Sequence, residues 1–219
     1  IEYAPQKVDF IRSYNPYPLP EEGAYETAAR MINNSVKPFM LVGQGVELAG
    51  ANEELIALCE KAQIPFASAI LGLSAAPSDH PLNMGMLGMH GNLAPNTMTN
   101  QCDLLIAVGM RFDDRVTGNL KAYAKQAKVI HFEIDPSELG KNVKPTLSVL
   151  GDCKQTLPEV TKLVEKATHK AWIEGFKPYA EKEYTEVIDA ALNPTEGPLL
   201  MGEVVRKVSE AANNEAILV

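Results

Sequence analysis

Leu104-Leu105-Ile106-Ala107-Val108-Gly109 is the stretch that decides the fold. Apolar residues run without interruption and stop on a glycine. A strand with one wet face alternates apolar and polar residues, whereas a strand covered on both faces does not need to. This segment therefore reads as a central strand of a sheet with helices on both sides. Arg111-Phe112-Asp113-Asp114-Arg115 follows at once, placing two arginines and two aspartates at the end of a buried strand.

The same reading extends outward. Phe39–Val42, Phe66–Ile70, Val129–Ile134 and Leu147–Leu150 are further strand candidates of the same kind. Helical spacing separates them. Ala24, Ala28, Met31 and Ile32 share one face, then Leu55, Leu58, Cys59 and Ala62, then Leu157, Leu163, Val164 and Ala167. Residues 71–100 are broken by Gly72, Pro77, Pro81, Gly85, Gly88, Gly91 and Pro95 and read as irregular, with a short helix over Asn96–Gln101. Alternating buried strands and amphipathic helices predict a doubly wound α/β domain with a six-stranded, mainly parallel sheet.

The ends differ in character. Residues 1–20 carry Pro5, Pro16, Pro18 and Pro20 and read as a linker or arm; residues 21–168 form the α/β domain. His169–Ala191 is charged but holds Trp172, Phe176, Tyr179 and Tyr184, so 169–195 reads as a helical extension and linker lying over the domain. Residues 196–219 read as the truncated start of another domain, a helix over Leu199–Ala212 and a strand over Ala216–Val219. The chain opens on Ile1 and closes on an apolar run, so both ends are expected to be cuts from something longer.

Composition removes several function classes. Lys and Arg total 20 against 28 Asp and Glu, a net charge of -8. That balance disfavours polyanionic partners, so neither nucleic acid nor an acidic membrane surface is expected. The uncharged stretch Ile64–Ser78 falls short of the roughly 18 apolar residues of a membrane span, and Gly and Pro interrupt it. Cys59, Cys102 and Cys153 are too few and too scattered for a disulfide scaffold or a zinc site; three isolated thiols fit a reducing, cytoplasmic setting. The four histidines show no metal spacing, so no metal site is expected in this chain.

In a parallel sheet, ligands bind outside the carboxyl ends of the strands. Gly43-Gln44-Gly45 is the first such end: amides at a helix start attract phosphate, though the glycine pattern is incomplete and a plain tight turn is the alternative. Gly109–Arg115 is the second, where a guanidinium fork suits a diphosphate and a surface salt-bridge cluster is the alternative. Glu133 and Asp152 end the next two strands and could accept the hydroxyls of a ribose, or simply be solvated. Gly85-Met86-Leu87-Gly88-Met89-His90-Gly91 offers an apolar surface for a flat ring. Together these features suggest an extended adenine dinucleotide. None of them is a nucleophile–base pair.

GMLGMHG (Gly85–Gly91), AVGMRFDDRVTGN (Ala107–Asn119), HFEIDP (His131–Pro136) and Gly151-Asp152 stand in an order and spacing that resembles the central domain of the acetohydroxyacid (acetolactate) synthase family, FAD-containing biosynthetic type. The resemblance runs from about Arg12 to the end of the chain. It implies an enzyme that decarboxylates pyruvate and condenses it with a second 2-ketoacid, in branched-chain amino acid biosynthesis. Thiamine diphosphate and Mg²⁺ would be held by flanking domains, and FAD, as a structural cofactor, by this one. No catalytic residue is then expected within this chain, which alone would be inactive. Homodimers or homotetramers, and a regulatory small subunit, are the partners such enzymes imply.

Carried over residue by residue, the resemblance implies FAD contacts from Arg12, Gly43, Gln44, Gly45, Ala69 and Ile70. Leu87, Gly88, Met89 and His90 would surround the flavin; Gly109, Met110, Arg111, Asp113 and Arg115 would lie beside it and the diphosphate. Glu133, Ile134, Asp152 and Cys153 would take the adenosine end, and Met89, Asp114 and Arg115 would border the substrate channel. Ala69, where many members have Thr, and Glu138, where some have Asn, are departures that remove FAD contacts. A stand-alone nucleotide-binding module and a related carboligase such as glyoxylate carboligase are the competing readings; RFDDRVTGN disfavours the latter.

Overall fold

Leu104–Val108 does sit at the centre of a sheet, paired on both sides along its whole length. The computed structural model of the chain describes residues 18–217. In chain order its first half comprises α1 (Ala24–Asn33), β1 (Pro38–Val42), α2 (Gln44–Leu48), α3 (Asn52–Ala62), β2 (Phe66–Ser68), a 3-10 segment (Ile70–Ala75), β3 (Asn83–Met86) and α4 (Leu93–Thr99). Then come β4 (Leu104–Val108), α5 (Asp114–Thr117), β5 (Lys128–Glu133), β6 (Leu147–Leu150) and α6 (Cys153–Leu163). The sheet is six-stranded, in the order β3-β2-β1-β4-β5-β6, and every pairing is parallel. The expected doubly wound α/β fold is present.

Two cores explain the unbroken apolar strands. Met40 and Val42 of β1, with Ile106 and Val108 of β4, pack against α1, α3 and α6 through Ile32, Leu55, Leu58 and Leu157. Phe39 and Leu41, with Leu105 and Ala107, face the opposite layer, which holds Met98 of α4 and Trp172 and Phe176. Successive side chains of a strand point to opposite faces, so only a strand apolar at every position can serve both layers.

Trp172 and Phe176 belong to the extension, α7 (Lys170–Glu174) and α8 (Lys177–Glu183), followed by a π-helical turn (Tyr184–Ile188) and α9 (Asp189–Leu192). The Trp172 indole N–H donates to the Pro38 carbonyl at 2.8 Å, and the Phe176 ring lies 5.2 Å from that of Phe39. Trp172 and Phe176 thus pack the start of the extension against the sheet, whereas Tyr184 is largely exposed. A further helix, α10 (Met201–Ala211), completes the elements.

Several local expectations are corrected. The sixth strand is β3, inside the stretch read as irregular; its Asn and Gly carry no strand signal, but Phe66–Ser68 presents an open edge for it to pair with. Phe66–Ile70 is a strand only to Ser68, because the chain turns into the 3-10 segment where it meets the β1 loop. Gly43-Gln44-Gly45 opens a helix, α2, as read, whereas α4 begins at Leu93, ahead of the expected Asn96. Helix α6 ends at Leu163, which is exposed, while Val164 caps it and is buried. Ala216 and Ile217 have no regular structure; the remainder of the strand expected there lies outside the described residues.

Candidate functional site

From β1 the chain proceeds through β2 to β3 on one side, and from β4 through β5 to β6 on the other. The loops after β1 and β4 consequently leave in opposite directions, and a crevice opens between them. A cleft of about 730 Å³ lies there, lined by the loops after β1, β2, β3, β4 and β5.

Glycine sets how closely those loops meet. Gly43 N–H donates to the Val108 carbonyl at 3.0 Å, and Gly45 N–H to the Gly109 carbonyl at 2.8 Å. A Cβ on Gly43 would fall 2.3 Å from Gly109 O, and one on Gly45 2.6 Å from Gly109 Cα. The sequence leaves these glycines between phosphate approach and a plain tight turn. In the structure they let one backbone lie against another, and the Gly43 and Gly45 amides are already engaged.

The loop after β3 is held from two sides. Asn96 of α4 clamps Gly88, its amide donating to the Gly88 carbonyl at 2.9 Å and its carbonyl accepting from Gly88 N–H at 2.8 Å. Met89 N–H donates to the Arg115 carbonyl at 2.7 Å, with Gly88 at φ +104 and room for a Cβ only 2.9 Å from that same oxygen. Glu183 of the extension accepts from Leu93 N–H at 3.0 Å and caps α4. These bonds present Met89, 68 % exposed, on one wall. Ile70, Leu71, Leu48 and Ile134 are other exposed apolar side chains around the cleft.

Charge enters from the segment after β4. Asp113 is the N-cap of α5, its carboxylate accepting from Arg115 N–H and Val116 N–H at 3.1 and 3.2 Å. With Asp113 occupied in this way, Arg111 and Arg115 are exposed and pair with no carboxylate among the described residues. Among the described residues the surface salt-bridge alternative does not form. Two unpaired guanidiniums against an apolar wall make an anion-binding edge on an otherwise hydrophobic slot.

At the far end Glu133, buried, turns one carboxylate oxygen onto Ile134 N–H and Asp135 N–H at 2.9 and 3.1 Å. Its other oxygen lies 3.7 Å from His131 Nε2. His131 is fully buried, and burial holds its imidazole below the ordinary histidine range. The sign follows from the unfolded chain, which takes up the proton first. Stability should be full above about pH 6.5 and decline as pH falls below it, by at most about 1.4 kcal/mol per pH unit from this group. Melting temperatures from about pH 7.5 to about pH 5 should show a shallower acid slope for His131→Phe than for the parent. His169, whose value burial also lowers, is common to both proteins.

Of the residues that sequence reasoning singled out, Gly43, Gln44, Gly45, Ala69, Ile70, Leu87, Gly88, Met89, His90, Gly109, Met110, Arg111, Asp113, Arg115, Glu133 and Ile134 all line this one cleft. Asp114 lies in an adjoining pocket of about 320 Å³ that shares Leu87, Gly88, Met89, Arg115 and Val116 with it. Asp152 and Cys153 do not line the cleft. Asp152 caps α6, accepting from Lys154 N–H at 2.7 Å, and Cys153 packs in the core with its thiol pushed up to about 12 by burial. Glu138 is held by Lys141 at 2.7 Å. Arg12 lies outside the described residues. Met86, of the segment read as an apolar surface, joins the lining, whereas Leu48, Leu71 and Val116 were unforeseen, since isolated apolar residues in short elements carry no periodic signal.

The sequence profile of the thiamine pyrophosphate enzyme central domain matches residues 25–160, which include every strand of this sheet and the cleft at its edge. The chain belongs to that family.

Relatives of this thiamine pyrophosphate enzyme central domain include the probable acetolactate synthase large subunit of Methanocaldococcus jannaschii, 44% identical over 71% of this chain and 26% of that protein. The acetolactate synthase large subunit of Parasynechococcus marenigrum is 37% identical over 88% of this chain and 31% of its own length. The acetolactate synthase of Mycobacterium leprae is 35% identical over 98% and 35%. The chain therefore spans about a quarter to a third of these relatives. An X-ray structure described as a thiamin diphosphate-dependent enzyme from Mycobacterium smegmatis shares the fold, with a TM-score of 0.59 at 24% identity over 72% of this chain and 30% of that one. Among the described residues no helix is long and apolar enough to cross a membrane.

Proposed function

We propose that this chain is the FAD-holding central domain of an acetolactate synthase. Such an enzyme decarboxylates pyruvate and joins it to a second 2-ketoacid, with thiamine diphosphate and Mg²⁺ held outside this chain. In this reading residues 21–168 form the FAD domain, 1–20 and 169–195 are its arm and extension, and 196–219 begin the next domain. The assembly is a homodimer or homotetramer of full-length chains, open to a regulatory small subunit. A cytoplasmic location fits the three free, buried cysteines.

The observation that carries the FAD assignment is the pairing of shape and charge in the cleft. It crosses the ends of five adjacent strands, β3 to β5, about 19 Å at roughly 4.8 Å per strand. That is the length of an extended dinucleotide rather than of one nucleotide. Arg111 and Arg115 supply planar donors for a diphosphate, and Met89, Ile70 and Ile134 supply apolar surface for a flat ring. Bound there, FAD would contribute the ring and diphosphate that fill the slot between the two halves of the sheet.

Titrating FAD into the purified chain tests this. Saturable quenching of flavin fluorescence is expected, with NAD far weaker because it lacks the tricyclic ring. If neither this chain nor a full-length protein containing it takes up FAD, the assignment is wrong. Pyruvate with thiamine diphosphate and Mg²⁺ should give no acetolactate from this chain alone.

A further inference from the structure

His131 sits on β5 with no solvent exposure, and it touches the residues on both sides of Arg111. Its Nε2 lies 2.9 Å from the Met110 carbonyl, and its ring packs edge-on to Phe112 at 5.1 Å. Nδ1 has no hydrogen-bond partner among the described residues. A carbonyl only accepts, so the imidazole must be the donor, and its proton must be on Nε2. Glu133, the nearest carboxylate, is 3.7 Å from the same nitrogen and takes backbone N–H bonds instead.

We propose that His131 is a positioning residue for the cleft: neutral and protonated on Nε2, it fixes the backbone on either side of Arg111 and so presents that guanidinium to the ligand. This rests on the FAD reading above. Among the described residues no carboxylate pairs with Arg111 to orient it, so its direction follows the backbone that carries it. Met110 and Phe112 are both buried, which makes His131 an anchor from beneath rather than a contact to the ligand.

Two variants separate positioning from bulk packing. His131→Phe keeps an apolar ring beside Phe112 but has no donor. His131→Gln places an amide N–H at about the reach of Nε2 but buries a poorer-packing side chain. If His131 positions Arg111, FAD affinity should fall roughly tenfold in His131→Phe and within about threefold in His131→Gln. Melting temperatures should run the other way, with Phe at or above Gln. Imidazole ¹⁵N shifts of the parent should report the Nε2–H tautomer. Affinities that follow the melting temperatures, or an Nδ1–H tautomer, would overturn the proposal.

Failure of the parent to bind FAD would remove the FAD reading and leave the positioning claim to be decided by amide exchange. Gly45 and Asp113 donate to the Gly109 and Arg111 carbonyls that bracket Met110. Faster exchange at both amides in His131→Phe than in His131→Gln supports the anchor; equal rates refute it.

Discussion

Gly109→Ala is expected to lose about 2–5 kcal/mol of stability, a fall in melting temperature of roughly 4–20 °C for a chain of this size. Two causes add. Gly109 has φ +57, a left-handed conformation that costs an L-residue about 1–2 kcal/mol. A Cβ there would also stand 2.7 Å from Gly45 Cα and 2.8 Å from Val46 N, backbone atoms with no rotamer to change. Such overpacking costs about 1–3 kcal/mol. Gly23 supplies the internal control, because its φ of +77 and ψ of 5 are left-handed and a Cβ there meets nothing within 4 Å. Gly23→Ala should therefore lose only the conformational part. If urea melts give the two variants the same loss, the crowding between the β1 and β4 loops is softer than the distances state. The larger loss, if found, also means the floor of the cleft has been pushed apart.

Arg111→Ala is expected to weaken FAD binding by roughly ten- to a hundredfold while leaving stability nearly unchanged, since a charge-assisted contact is worth about 1.5–3 kcal/mol. The structure sharpens this expectation. Had Arg111 paired with Asp113 or Asp114, truncation would have removed a surface ion pair and little else. Asp113 instead caps α5, and Arg111 stands exposed beside the cleft without a carboxylate partner among the described residues. Arg111→Lys should recover only part of the affinity, because a point charge cannot reproduce a planar two-oxygen contact. Flavin titrations of parent, Ala and Lys variants decide it; a dissociation constant unchanged in the Ala variant would mean the guanidinium does not touch the ligand.

Much of this architecture is legible along the chain because burial on two faces demands apolar residues at every strand position. Leu104–Val108 and Phe39–Val42 carry that demand openly, and both are fully buried central strands. Helix periodicity likewise located α1 and α3, whose inner faces are those of the expected core. Strand ends follow from strands, so a list of loop residues after each strand recovered most of the cleft without knowledge of its shape. The departures have a common cause. Asn83–Met86 is a strand because a neighbour's edge is open to it, and Asp152 and Cys153 are a helix cap and a core residue because α6 starts directly after Gly151. Those are facts about neighbours in space.

The sequence by itself determined the class of each buried segment, their order and the loops at which chemistry could gather, because local apolar periodicity reflects burial directly. Only the tertiary structure decided which strand ends stand side by side. The order β3-β2-β1-β4-β5-β6 places Gly43 against Gly109, 66 positions on, and opens the cleft between them. It also decided that Asp113 would cap a helix rather than pair with Arg111, and that His131 would lie against the Met110 carbonyl next to it. Contacts of that kind depend on backbone separations of a few ångströms between segments distant in sequence, and residue type alone does not encode them.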